Sequence, residues 1–151
     1  MIRFNKEIMG TRESDHYATP VQFMKILNDE FKFDFDPCPL RCDKFNGLEI
    51  PWLGNIYCNP PYSNIKPFIV KGIKEINKKN AKKVVFLIPA RTDVKYWHDL
   101  ILKYATEIRF VKGRLHFNES EKPAPFPVVI IVFDKWLGKN GLSVKSYFQK
   151  K

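Results

Sequence analysis

The segment Asn59-Pro60-Pro61-Tyr62 contains the residue types of this 151-residue chain that are best suited to chemistry. It follows a short apolar strand pattern at residues 55–58 and precedes an apolar helix pattern. Proline has no backbone N–H, so the two prolines shape the turn and leave carbonyl groups pointing into a site. The Asn59 side-chain oxygen and the Pro60 carbonyl can accept the two hydrogens of an amine, and the Tyr62 ring can stack on a base.

This arrangement favours methylation of an amine that is conjugated to an aromatic ring. Such an amine is a poor nucleophile because its lone pair is delocalised, and two acceptors draw its nitrogen toward a tetrahedral geometry. The lone pair then faces the methyl group of a sulfonium donor. In duplex DNA the amine of adenine is reached only when the base is extruded. A plain turn is the competing interpretation, but the position between strand and helix favours catalysis.

Two further segments at the ends of predicted elements can hold a small ligand. Asp36 ends a short strand pattern that begins at Phe33, and its carboxylate can bind the ammonium or a ribose hydroxyl of a donor, or cap a turn. Thr19-Pro20 has the residues of a helix start, with Thr19 as N-cap and Gln22 in the capping-box position.

The chain is strongly basic. Twenty-six Lys and Arg residues against sixteen Asp and Glu give a formal net charge of +10, which suits a polyanion such as nucleic acid. Five lysines between Lys74 and Lys83 indicate a solvated face that can bind phosphate nonspecifically. Arg91 follows the predicted strand Val84–Ile88, where its guanidinium suits a phosphate or a donor carboxylate, and Thr92 can cap the next helix.

The composition favours neither a membrane protein nor a metalloprotein. No apolar run reaches the roughly eighteen residues that span a bilayer, and the first residues lack the apolar core of a signal peptide. Cys38, Cys42 and Cys58 form no even disulfide framework, which is typical of a reducing compartment such as the cytoplasm. Zinc on Cys38 and Cys42 would need two more ligands, so we expect reduced structural thiols and no metal.

Predicted helices and strands alternate along the chain. Helices are expected after Thr19, after Ser63 as N-cap, and after Thr92. Strands are expected at 33–36, 55–58, 84–88, 107–111 and 128–133, the last two joined by a long connection through Gly113 and Pro123 to Pro127. This order predicts a three-layer α/β fold that ends in an antiparallel strand pair. The length predicts one domain, 1–151, with its core at about 14–134 and a basic tail at 135–151.

From about Ser14 to Phe133, the sequence resembles the phage-type, Dam-like DNA N6-adenine methyltransferases. The shared order of several blocks carries the resemblance: Asp15-His16-Tyr17-Ala18-Thr19-Pro20, Phe35-Asp36-Pro37-Cys38, Cys58-Asn59-Pro60-Pro61-Tyr62-Ser63, Pro89-Ala90-Arg91-Thr92-Asp93, Arg109 to Phe117, and Ala124-Pro125-Phe126-Pro127. It implies a Rossmann-like methyltransferase sheet, S-adenosylmethionine as donor and DNA as partner. It also implies a phage gene whose product protects DNA from restriction in the cytoplasm of a bacterial host.

The motif and the resemblance together assign the site residues. Catalysis is expected of Asn59, Pro60, Pro61 and Tyr62. The expected donor contacts are Tyr17, Ala18, Thr19, Pro20, Asp36, Pro37, Cys38 and Asn59, and the resemblance implies that Thr19-Pro20 contacts the methionine end of the donor. The expected substrate contacts are Tyr62, Ser63, Arg91, Lys112, Arg114 and Phe117, and Phe117 is a candidate to stack on the base opposite Tyr62.

One feature departs from many methyltransferases. The turn Asp36-Pro37-Cys38-Pro39-Leu40 has no Gly-x-Gly, which often lets the backbone approach the donor closely. Only 23 positions separate Asp36 from Asn59, too few for the usual strand–helix–strand crossovers between donor and catalytic segments. We therefore expect a reduced sheet.

Two other functions stay open from the sequence. RNA adenine and the glutamine side chain of a protein also present a conjugated amine, although the enzymes that act on them generally carry a fuller glycine-rich donor site. A non-enzymatic DNA-binding protein on a decayed methyltransferase fold is motivated by the missing glycine turn and the positive charge. Binding of S-adenosylhomocysteine would separate this last function from the others.

Overall fold

The computed structural model describes residues 17–40, 43–139 and 141–148, so Asp15, His16 and Cys42 lie outside the described residues. In chain order its elements are α1 (Val21–Phe31), β1 (Gly54–Cys58), α2 (Ile65–Asn77), β2 (Ala81–Pro89), a π-helical turn (Trp97–Ile101) that runs into α3 (Leu102–Tyr104), β3 (Glu107–Lys112), a 3-10 turn (Phe117–Glu119), β4 (Val128–Asp134) and β5 (Ser143–Phe148). None of the helices in these ranges is long and apolar enough to cross a bilayer.

The strands form one mixed sheet in the order β1-β2-β4-β3-β5. β1 is parallel to β2, β4 is antiparallel to both of its neighbours, and β5 is parallel to β3. β1, β2, β3 and β5 therefore all run in the same direction. Their last residues lie together at what we call the carboxyl end of the sheet, and their first residues lie at its amino end. In open α/β sheets, ligands bind at the carboxyl end.

The core is divided between the two faces of the sheet. Side chains alternate across a strand, so Val84, Phe86 and Ile88 of β2 pack in one cluster with α2, while Val85 and Leu87 pack in the other. The second cluster contains the buried stripe of α1: Phe23, Leu27 and Phe31. This α/β arrangement agrees with the continuous apolar run that the sequence shows for β2, because a strand covered on both faces needs no polar side.

The predicted strand at 33–36 is present only as a single parallel bridge between Phe35 and Ile56 of β1. The N–H of Asp34 donates to the carbonyl of Asn55 at 2.7 Å, and the N–H of Tyr57 donates to the carbonyl of Phe35 at 3.1 Å. Pro37, which has no N–H to donate, stops the pairing. The prediction of a full strand was therefore wrong, but the direction of the segment still places Asp36 at the carboxyl end.

The sequence analysis predicted no element beyond residue 134, whereas the structure has β5 paired with β3 over six residues. The predicted antiparallel pair is present as β3 and β4. It does not end the sheet, because β5 lies outside β3 as the edge strand. Tyr147 of β5 packs edge-on against Phe23 of α1, with ring centroids 5.8 Å apart. The pattern of β5 is weak because most of its side chains are exposed.

All three predicted helix caps differ from the structure. α1 has Pro20 at its N-cap without a side-chain hydrogen bond, and the N–H of Val21 instead donates to the Glu119 carboxylate at 2.7 Å. The N-cap of α2 is Asn64, one residue after Ser63. Thr92 lies in a turn before its helix, where its carbonyl accepts from the His98 ring at 2.8 Å. Local sequence predicted where helices begin but not which tertiary group satisfies their first N–H groups.

A buried arginine joins α1 to the outer strands. Arg109 of β3 is only 8% exposed, and its guanidinium makes a bidentate ion pair with Glu30 of α1. Its Nε donates to Glu107 at 2.7 Å, and Lys145 of β5 pairs with the same carboxylate at 3.1 Å. The guanidinium also lies 5.0 Å from the ring of Phe31. The buried charge is thus compensated from several elements, as burial of a cation requires.

We predict that Glu30→Gln lowers the free energy of unfolding by about 1 to 3 kcal/mol, because hydrogen bonds to charged groups contribute in that range. Urea denaturation at neutral pH measures the effect. Asp29→Asn is the matched control, since Asp29 is the preceding exposed acid on α1 and should change the free energy far less. Equal effects of the two substitutions would contradict the role of the Arg109 pair.

Candidate active site

The strand directions bring the predicted site residues to the carboxyl end of the sheet. Asn59 directly follows β1, Asp36 ends the segment bridged to β1, and Lys112 ends β3. A cavity of about 240 Å³ opens there. Six of the eight residues predicted to contact a donor line it, namely Tyr17, Ala18, Thr19, Asp36, Cys38 and Asn59, and its other lining residues are Val21, Met24, Leu40 and Tyr57. Pro20 and Pro37 lie beside these residues in the chain but are not among the lining residues.

The side-chain amide of Asn59 is held in one orientation. Its Nδ2 donates to the backbone carbonyl of Tyr17 and to the Thr19 hydroxyl, the latter at 3.3 Å. A carbonyl can only accept, so the nitrogen and not the oxygen of the amide faces Tyr17. The Asn59 Oδ1 is buried and has no hydrogen-bond partner among the described residues. A buried acceptor without a partner is costly, which makes this oxygen the natural contact for a ligand's N–H.

The hydroxyl of Thr19 forms part of the site and is not a helix cap. It shares a 2.5 Å hydrogen bond with the hydroxyl of Tyr57. Tyr57 is buried, and burial raises the pKa of its phenol well above the ordinary value, so the group keeps its proton. The sequence analysis missed Tyr57. Its position two residues before Asn59 was the available signal, because residues i and i+2 of a strand face the same side.

A distant turn holds the segment that contains Tyr17 and Thr19. The N–H of Ala18 donates to the side chain of Asn118 at 2.8 Å, and the N–H of Asn118 donates back to the carbonyl of Ala18 at 2.9 Å. Asn118 adopts a left-handed backbone conformation, with φ of 57°, which asparagine tolerates better than most residues. Asn118 and Glu119 thus position the cavity wall. No sequence pattern pointed to them.

Asp36 combines the two roles that the sequence left open. One carboxylate oxygen accepts the N–H of Cys38 at 2.8 Å, which caps the turn, and the side chain also lines the cavity. Burial raises the pKa of the carboxyl from 3.8 to about 7, while the hydrogen bond from Cys38 opposes that rise. A carboxyl with a pKa near neutrality is stabilised in its ionised form by a cation that enters the cavity.

The two described cysteines do not form a metal site. Cys38 lines the cavity, whereas Cys58 is fully buried at the end of β1, and burial raises the pKa of its thiol. In the described ranges no three His, Cys, Asp or Glu side chains come together to bind a metal ion. That Cys38 and Cys42 are reduced structural thiols stays a prediction, because Cys42 lies outside those ranges.

Tyr62 lies in an aromatic cluster beside the cavity. The ring of Tyr17 stacks on it with centroids 5.0 Å apart, and Phe126 packs edge-on at 5.5 Å. Phe117, only 4% exposed, also packs edge-on against Tyr62, at 6.3 Å. Phe117 is therefore buried against the edge of the Tyr62 ring. It has no exposed ring face on which a base opposite Tyr62 could stack. The Tyr62 hydroxyl is buried and has no hydrogen-bond partner among the described residues.

The remaining predicted substrate residues lie on the surface around the same end of the sheet. Ser63, Arg91, Lys112 and Arg114 are all exposed. Arg114 also donates to the carbonyl of Ala124 at 3.4 Å, which holds its guanidinium near the start of β4. In the motif itself, the N–H of Asn64 donates to the Pro61 carbonyl at 2.9 Å and closes the turn. The structure thus places these cationic side chains at the carboxyl end of the sheet, the same end at which the cavity lined by Asn59 opens.

We predict that the stability difference between the protein and Asp36→Asn depends on pH. Below about pH 4 the carboxyl is protonated in both the folded and the unfolded protein. As the pH rises toward 7, only the unfolded chain loses its proton, so the free energy of unfolding falls relative to the variant by on the order of a few kcal/mol. Urea denaturation across this range measures it, with Asp93→Asn as a control that removes an exposed carboxyl. Parallel pH profiles for the protein and Asp36→Asn would contradict the prediction.

Comparisons with known proteins agree with the resemblance seen in the sequence. The family model described as DNA N-6-adenine-methyltransferase (Dam) matches residues 8–150. A protein of Haemophilus phage HP1 (strain HP1c1) that is named DNA N-6-adenine-methyltransferase is 32% identical over 128 residues, which cover 74% of this chain and 72% of the phage protein. The family match extends over nearly the whole chain, including every residue of the candidate site and β5. The predicted resemblance is confirmed, and this protein belongs to the DNA N-6-adenine-methyltransferase (Dam) family.

Proposed function

We propose that this protein transfers a methyl group from S-adenosylmethionine to the N6 amine of adenine in DNA. The observation that carries the proposal is the buried Asn59 Oδ1, an acceptor held in place by its own amide nitrogen and without a partner among the described residues. An exocyclic amine supplies the N–H that this oxygen lacks. The Pro60 carbonyl, one residue away, is the acceptor that we assign to the second amine hydrogen.

The cavity beside Asn59 fits a sulfonium donor. S-adenosylmethionine supplies an electrophilic methyl group when it is bound. Val21, Met24 and Leu40 offer apolar walls, and Asp36 offers a carboxyl for the ammonium group of the donor. Because burial raises the pKa of Asp36 to about 7, binding of a cation is coupled to loss of its proton. The Thr19 hydroxyl and the Cys38 backbone complete the polar contacts that we assign to the donor.

Catalysis in this proposal needs no strong general base. With its two hydrogens bound by Asn59 and Pro60, the amine nitrogen becomes more nucleophilic, and its proton can leave after transfer. The stacking of Tyr17 holds the Tyr62 ring in a fixed orientation against which an extruded adenine can pack. Burial also raises the pKa of the Tyr62 phenol, so the residue acts as a neutral ring.

The family and the charge favour DNA as substrate over the alternatives. Arg91, Lys112 and Arg114 are exposed around the carboxyl end, where they can contact phosphates beside the extruded base. An RNA or protein substrate finds no separate support among the residues described. A decayed, non-enzymatic fold would not need to keep an oriented Asn59 beside an open cavity. Three expectations stay predictions: a Rossmann-like form of the sheet, a single domain, and a role in protecting phage DNA inside a bacterial host.

We predict that Asn59→Ala lowers the rate of methyl transfer to DNA at least about 100-fold, the scale of losing one preorganised hydrogen-bonding group in a transition state. Transfer of labelled methyl groups to unmethylated duplex DNA, followed by nucleoside digestion and mass detection, measures it. Binding of S-adenosylhomocysteine by calorimetry should weaken far less than transfer, because the other lining residues of the cavity remain. Asn77→Ala, at the exposed end of α2, is the matched control. Wild-type turnover by Asn59→Ala would overturn the proposal.

We predict that Tyr62→Ala and Tyr62→Phe separate the ring of Tyr62 from its hydroxyl. Loss of the ring should weaken DNA binding by about 1 to 3 kcal/mol, the typical contribution of stacking one base. Tyr62→Phe keeps the ring and removes a hydroxyl that has no partner in the part of the chain that the structure describes, so its KM for DNA should stay near that of the unmodified protein. Steady-state kinetics with an adenine-containing duplex tests both. An equal loss in the two variants would show that the hydroxyl, and not stacking, matters.

A further inference from the structure

The amino end of the sheet, opposite the candidate active site, carries a cluster of lysines. We call it the amino-end cluster and define it as Lys32, Lys78, Lys79, Lys82, Lys83 and Lys135. We infer that this cluster binds a second segment of duplex DNA through its phosphates, so that one protein molecule can hold two DNA segments at once. The inference rests on the proposed function in one respect: the polyanion that the cluster binds is assumed to be DNA.

The strand pairing brings these lysines together although they are distant in sequence. Lys78 and Lys79 lie just before β2, and the carbonyl of the next residue, Asn80, accepts from the first N–H of β1 at 3.1 Å. Lys83 of β2 stands opposite Asp134 at the end of β4, directly before Lys135. The Lys32 carbonyl accepts from the side chain of Asn55 at 3.3 Å. One end of the sheet therefore collects basic residues from the first residues of β2 and from the segments that follow α1, α2 and β4.

The acidic groups beside the cluster, Glu75, Asp34 and Asp134, are fewer than its six lysines, and each accepts a hydrogen bond from another group. Glu75 is buried and accepts from Lys71, Asn80 and the N–H of Trp52. Asp34 accepts the N–H of Asn55, and Asp134 accepts the N–H of Trp136, both at 2.8 Å. In the described ranges, the observed salt bridges involve other cations and none of the amino-end cluster. The cluster thus has a surplus of positive charge, which phosphates can neutralise with release of counterions.

The position of the cluster favours a second duplex over the one being methylated. β2 runs nine residues from one end of the sheet to the other, which corresponds to roughly 30 Å. DNA is stiff over about 150 base pairs, so a short duplex at the active site does not curve around the protein to the opposite end. Exposed lysines act as point charges that suit phosphates without selecting a sequence. The second contact is therefore nonspecific.

A two-duplex assay tests this inference. One unlabelled 20-base-pair duplex is attached to beads, a second duplex of the same length carries a fluorophore, and capture of the second by the protein is measured against salt. We expect capture by the unmodified protein. We expect Lys79→Gln/Lys82→Gln to weaken it on the order of tenfold or more near 0.1 M salt and to lower the salt slope by roughly 2, since each lost phosphate contact accounts for about 0.9.

Lys25→Glu is the control, because it lowers the net charge by the same two units at an exposed position on α1 away from the cluster. It should capture the second duplex like the unmodified protein. Absence of capture by the unmodified protein, or equal capture by the double variant, would overturn the inference. The second result would also arise if two protein molecules bridged the duplexes through their active sites. An equal loss in Lys25→Glu would overturn it too, since total charge alone would then be responsible.

Methyl transfer measured on the same preparations distinguishes this inference from the proposed function. If the double variant loses capture of the second duplex but keeps the transfer rate on a single duplex, both proposals are supported. If capture depends on Lys79 and Lys82 while no preparation transfers a methyl group, the DNA-binding surface stands and the proposed activity fails. Circular dichroism and urea denaturation confirm in each case that the variants are folded.

Discussion

The hydrogen bond from the Asn59 side-chain amide to the carbonyl of Tyr17 joins residues 42 positions apart, and the geometry of the candidate site depends on it. It decides which atom of the amide faces outward, since a carbonyl accepts only from the nitrogen. It brings Tyr17 beside Tyr62, where the two rings stack. It also brings Thr19 to the wall of the cavity, where its hydroxyl pairs with Tyr57. A single buried contact thus couples the catalytic motif, the aromatic cluster and the donor cavity.

That contact requires a rigid frame, which the sheet and one distant turn provide. β1 lies against the long β2, which is buried from Val84 to Pro89, so the backbone before Asn59 is held by paired hydrogen bonds. Asn118 and Glu119 bind the backbone of Ala18 and Val21 and hold the opposite wall. Sites built on packed strands keep their geometry better than sites on free loops. The missing glycine-rich turn is consistent with this frame. Side chains line the cavity here, so the backbone does not need to approach the donor closely.

Buried and exposed charges in this protein are balanced differently. Inside, Arg109 is paired with Glu30 and Glu107, and Glu75 is paired with Lys71, which avoids the cost of an isolated buried charge. Asp36 is the exception, a carboxyl at the cavity that among the described residues accepts the N–H of Cys38, and burial raises its pKa to about 7. Outside, positive charge is left over at both ends of the sheet, around Arg91 and around Lys82. Part of the net charge of +10 thus lies at two opposite ends of the sheet.

The sequence alone determined the α/β class, most strands, and the residues of the Asn59-to-Tyr62 motif, because apolar periodicity and proline act over a few residues. It did not determine the helix caps, the single bridge at Phe35, or β5, since these depend on groups supplied by other elements. Thr19 shows the difference most clearly. Local sequence predicted a helix cap, whereas the folded chain uses its hydroxyl beside Asn59, since only tertiary packing brings Tyr57 and Asn59 within hydrogen-bonding distance.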